Sequence, residues 1–145
     1  MRQPKYIYPN HAGFVDDDDT NNCAVRALAN ASGETLEWAY TVFQRAGRHK
    51  HRGASIRMLH TVYTEAGLSL VGVYGRTKQA IQFWIETQQP PDYNGITLGR
   101  LLTTIKPGRY VAIVTGHAVA IVDNQAIDTG ELLANRRVTA LYKFD

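Results

Sequence analysis

Apolar positions along the chain change their period about halfway. From Leu36 to Ala46 they recur as Leu36, Ala39, Phe43 and Ala46, and from Ile56 to Ala66 as Ile56, Leu59, Val62, Tyr63 and Ala66. Both sets trace one face of a 3.6-residue helix. A helix ahead of these is predicted over about Asn22 to Ser32, where polar residues precede a run of helix formers and Gly33 follows as a stop. The second helix is predicted over Thr35 to Ala46, closed by Gly47, and the third starts from Ser55 and stops at Gly67. The pattern then turns to strands, first at Leu68 to Tyr74 and later at Arg109–Val114, His117–Val122, Gln125–Asp128 and Val138–Phe144. Short helices are expected at Thr77 to Ile85 and from Thr97 to Ile105, with a surface loop at Gln88 to Gly95 between them. Asp123-Asn124, flanked by alternating apolar residues, is a hairpin signal. Residues 1–15, with Tyr6, Ile7, Tyr8, Pro9 and Phe14, read as an extended or irregular lead-in.

Helices first and antiparallel strands afterwards define an α+β class, with N-terminal helices packed on a C-terminal antiparallel sheet. The 145 residues suit one domain, 1–145, with a real core. No apolar run reaches the length of a membrane span and none follows Met1-Arg2-Gln3-Pro4-Lys5 as a leader, so a cytoplasmic location without membrane contact is expected. The single cysteine excludes an internal disulfide and a cysteine-rich zinc site. A net charge of +3 is too mild to imply a nucleic-acid partner by itself, but the charges are segregated. Asp16 to Asp19 lie ahead of the cysteine and a basic run spans Arg45 to Arg52.

The single cysteine, Cys23, falls where the first helix is predicted to start, in Thr20-Asn21-Asn22-Cys23-Ala24-Val25-Arg26-Ala27-Leu28. A thiol in the first helical turn sits beside unsatisfied N–H groups and the positive end of the helix dipole, which favour thiolate. Gly116-His117 opens an apolar strand downstream. A thiol nucleophile needs a base within reach, an orienting partner for that base and donors for an oxyanion. Cys23 and His117 are the candidate nucleophile and base. Asp128, on the returning strand of the 123–124 hairpin, is expected to orient the ring, with Asp123 as the alternative.

Cysteine on the first helix, then Gly-His opening a strand, then an acidic residue on the next strand is the order of papain-like cysteine peptidases. The Asn-Cys-Ala-Val-Arg-Ala-Leu and Gly-His-Ala-Val-Ala-Ile runs resemble small phage and bacterial members of that superfamily over residues 20–145. The resemblance implies a papain-like fold, Cys23 as nucleophile, His117 as base and Asp128 as orienter. It also implies peptide or isopeptide hydrolysis without cofactor or metal, on a protein or peptide substrate, a host protein if the chain is phage-encoded. Deamidation and amide transfer use the same constellation. The family's upstream glutamine, the usual oxyanion donor, is replaced by Asp17; Asn22 or Asn21 with the Cys23 N–H is expected to serve instead.

The segment Arg45-Ala46-Gly47-Arg48-His49-Lys50-His51-Arg52 reads as a solvated basic loop. Arg48, Lys50 and Arg52 are its candidate partner- or substrate-binding residues. They support a rival function, a peptidase-like fold without turnover that binds an acidic host protein or a nucleic-acid backbone. His49 and His51 make a poor metal site, and the aspartate run lacks the spacing of a calcium loop. Its expected role is a solvated lead-in that complements the dipole of the first helix.

Overall fold

The computed structural model describes residues 5–7, 22–49, 53–127 and 134–144. In chain order the elements are β1 (Lys5–Ile7), α1 (Cys23–Ser32), α2 (Leu36–Arg45), α3 (Ile56–Glu65), β2 (Leu68–Val73), α4 (Lys78–Thr87), α5 (Leu98–Thr104), β3 (Arg109–Val114), β4 (His117–Val122), β5 (Gln125–Ile127) and β6 (Val138–Phe144). The class is α+β, as expected. Among the described residues no helix is long and apolar enough to cross a membrane.

The helix starts follow local chemistry. Thr35, Ser55, Thr77 and Thr97 each accept a bond from the backbone N–H three residues on, which caps α2, α3, α4 and α5. Gly33 ends α1 in the left-handed conformation at φ 77°, where its N–H reaches the Ala29 carbonyl. The fourth helix runs two residues past the predicted end, to Thr87, and closes on Gln88 with φ 65°.

The strands form one sheet in the order β1-β5-β4-β3-β6-β2. Every pairing is antiparallel except β1 on β5, which is parallel. The lead-in therefore contributes an edge strand that the sequence pattern did not distinguish from irregular chain. β3 and β4 join through Thr115-Gly116, and β4 and β5 through Asp123 (φ 49°) and Asn124 (φ 66°). Two successive positive φ values make that hairpin turn type I′.

The sheet is covered on both faces. One face presents Val111, Ile113, Ala118, Ala120, Ala140 and Tyr142 to a core shared with α1–α4. The other presents Tyr110, Ala112, Val114, Val119, Ile121 and Leu141 to Leu98, Leu101 and Leu102 of α5. Burial on both faces explains why β3 and β4 read as nearly unbroken apolar runs. The helices are thus divided between the faces, α1–α4 on one and α5 on the other.

Two irregularities shape the sheet. Ile113 and Val114 pair with Ala140 and Val138, so Thr139 is an extra residue on β6. Its hydroxyl donates to Oε1 of Gln79 on α4 at 3.0 Å. On β2 the register jumps between Leu70 and Gly72, leaving Val71 as a bulge on the outer strand. A Cβ on Gly72 would collide with the outer end of the Tyr74 ring, so a larger residue beside that bulge has to displace that side chain.

α1 lies against β4 and β3 and beside α2. Its buried face is built of small residues, Ala24, Ala27 and Ala31 around Leu28, and the facing β4 positions are Ala118 and Ala120. Small side chains on both partners let the helix sit close to the strand, which brings the start of α1 to the start of β4.

Candidate active site

Cys23 is the first residue of α1 and His117 the first residue of β4. They come together: the half-buried Cys23 sulfur is hydrogen-bonded to the His117 ring and to the backbone N–H groups of Ala118 and Ala24. Burial pushes the thiol pKa up. The His117 hydrogen bond, the Ala118 N–H, the positive charge of His117 and the Ala24 N–H outweigh it, and the thiol ends below its ordinary value of 9.0. A thiol held this way is poised as a nucleophile. The Cys–His pair expected from the sequence is therefore adjacent in space.

The first turn of α1 is fixed from below. The Tyr63 hydroxyl donates to the Ala24 carbonyl at 2.9 Å, and its ring meets Phe43 and Tyr142 edge-on. Burial first, and the neighbouring Cys23 charge second, raise the Tyr63 phenol well above its ordinary value, so it stays a neutral donor. Tyr142 in turn makes a 2.9 Å bond to Nδ1 of His60.

Asn22 precedes the helix but does not cap it. Its φ of −104° and ψ of 18° fall in the sparsely populated bridge region, and its side chain makes no capping bond. Instead its Nδ2 donates to the Tyr40 hydroxyl at 2.6 Å in a buried contact. One N–H of the amide expected to serve the oxyanion is thus engaged with Tyr40.

Arg48 departs from its predicted place. It is 5% exposed, its backbone N–H donates to the Phe43 carbonyl at 3.0 Å, and its guanidinium carbon lies 5.7 Å from the Tyr40 ring centroid. Gly47, at φ 101°, folds the chain back at the end of α2 and delivers Arg48 inward. It is therefore not part of a solvated contact surface, whereas Arg45 and His49 on either side are exposed. Lys50, Arg52, Asp128 and the run Asp16 to Asp19 lie outside the described residues. Asp123, the alternative orienter, sits in the type I′ turn at the opposite end of β4 from His117, as the β4–β5 register requires.

Three grooves formed by the described residues lie away from this pair. One of about 600 Å³ runs between α2 and α3, lined by Trp38, Val42 and Met58 among others, and does not include Cys23 or His117. Among the described residues no group of three or more His, Cys, Asp or Glu side chains gathers as a metal site. No family model, curated protein or solved structure matches the chain.

Proposed function

We propose that this chain is a cysteine-dependent acyl-transfer enzyme of papain-like kind, acting on a peptide or isopeptide bond. The observation that carries the reading is the hydrogen-bonded Cys23–His117 pair with a thiol below its ordinary pKa, at a helix start. In the proposed reaction the Cys23 thiolate adds to the carbonyl carbon, and the carbonyl π electrons move onto oxygen. The Cys23 N–H, one of the orphan donors of a helix start, and the Asn22 amide meet that oxyanion. When the tetrahedral species collapses, the C–N bond breaks and the His117 imidazolium gives its proton to the leaving nitrogen. Water then attacks the thioester with His117 taking its proton, which releases the acid and the free thiol. The orienting role of Asp128 rests on the resemblance and on its following Ile127, the partner of Ala120 on β4.

The test is the rate of iodoacetamide alkylation of Cys23 against pH in the wild type and in His117→Ala. A working pair gives a rate that is already substantial near pH 6 and is lost in the variant. A rate that rises only near the ordinary thiol range and is the same in both proteins overturns the reading.

A further inference from the structure

Asn22, the residue before Cys23, is buried in one cluster with the side chains of Tyr40 and Arg48, and the reaction above uses only one of the three. Asn22, Tyr40 and Arg48 are 7%, 6% and 5% exposed. Burying polar groups is costly unless they are bonded, and an apolar core needs none of them. Contacts link the three residues: Asn22 Nδ2 donates to the Tyr40 hydroxyl, the Arg48 guanidinium lies over the Tyr40 ring, and the Arg48 backbone N–H donates to the Phe43 carbonyl. Its organisation also forgoes a local gain. Asparagine is among the best capping residues, and a side-chain cap contributes about 1 kcal/mol. The Asn22 side chain bonds Tyr40 instead.

A side-chain amide is planar and carries two N–H groups. Tying one to Tyr40 fixes the direction of the other. The Arg48 guanidinium, its carbon 5.7 Å from the ring centroid, holds the Tyr40 ring from one side. We infer that Tyr40 and Arg48 are positioning residues that fix the Asn22 amide as the second oxyanion donor, in place of an upstream glutamine. This inference rests on the acyl-transfer reading above.

The test compares two reactions of the same thiol. With p-nitrophenyl acetate, the Cys23 sulfur bonds the acetyl carbon, p-nitrophenolate leaves, and the carbonyl passes through an oxyanion. With iodoacetamide the sulfur displaces iodide and no oxyanion forms. Both rates are measured in the wild type, Tyr40→Phe, Arg48→Gln, Asn22→Ala and the double variant Asn22→Ala/Tyr40→Phe. Tyr40→Phe keeps the ring and the packing, and its unfolding midpoint verifies that.

Complete loss of one oxyanion donor lowers such rates about 10²- to 10³-fold, so loosening it in Tyr40→Phe is expected to slow acylation roughly tenfold while alkylation stays within about twofold. Arg48→Gln moves the same ratio in the same direction by less. In the Asn22→Ala background, Tyr40→Phe adds nothing further, because the group it positions is gone. An unchanged ratio in Tyr40→Phe, an equal fall of both rates, or full additivity of the two substitutions overturns the inference while leaving the Cys23–His117 pair intact. If alkylation of the wild type proves independent of His117, the acyl-transfer reading fails and this inference fails with it.

Discussion

Four helix starts in this protein are alike and one is not. At α2, α3, α4 and α5 a Thr or Ser in extended conformation closes back onto the third residue of the helix. At α1 the flanking Asn22 adopts a bridge conformation, its side chain turns to Tyr40, and the first-turn N–H of Ala24 is directed to the Cys23 sulfur. A hydroxyl cap satisfies helix donors internally and contributes only stability. The Cys23 thiol, one residue inside the helix, uses a first-turn donor to hold negative charge, and the stabilisation appears as reactivity. Departures from local rules concentrate at functional or strained sites, and this one coincides with the cysteine and the strand-opening histidine.

The comparison can be broken first at His117. Its removal deletes two of the contributions that lower the thiol pKa and leaves burial, which raises it. Each pKa unit regained costs tenfold in thiolate, so alkylation of His117→Ala at pH 6 is expected to fall about 10- to 100-fold. Tyr63→Phe tests what anchors the unusual start. It leaves the Ala24 carbonyl without its buried donor and is expected to cost about 1–3 kcal/mol in urea unfolding. An unchanged midpoint would mean that Tyr63 does not hold the first turn. Ser55→Ala is the control at an ordinary start. It should cost about 1 kcal/mol and leave the alkylation rate unchanged; a slower rate would show that the start of α3 also shapes the site.

The smallest effect is a linkage. The folded thiol has a lower pKa than the unfolded one, so ionised Cys23 contributes stability that is complete above the unfolded pKa of 9.0 and is lost as pH falls through the folded value. The stability difference between wild type and Cys23→Ala should therefore grow in favour of wild type as pH rises through that window. A difference independent of pH would mean that the thiol is not perturbed.

Much of this arrangement is legible in the chain. Thr35, Ser55, Thr77 and Thr97 mark their helices, Gly33 marks an end, and Asp123-Asn124 marks the tight hairpin because each signal acts on its own neighbours. The Cys23–His117 pair is legible because a helix start and a strand start are local features, even though their meeting depends on the alanine-lined contact between α1 and β4. What escaped depends on distant partners. The Tyr40 hydroxyl is matched by a residue 18 positions away, and Arg48 looked like one cation among several until the Gly47 turn folded it inward. The three-residue strand β1 has too few positions to show a period. The second covered face of the sheet did leave a signal, the unbroken apolar runs of β3 and β4, which only strands buried on both sides require.

The bulge at Val71 bears on how the molecule behaves in a crowded solution. Among the described residues β2 has one neighbouring strand, β6, and so forms a border of the sheet along which another chain could add by backbone pairing. The register jump between Leu70 and Gly72 breaks that border into two short stretches, with Val71 protruding between them. A flat strand of six residues would offer a template for aggregation; this interrupted one offers at most three residues at a time, too few for an incoming strand to hold.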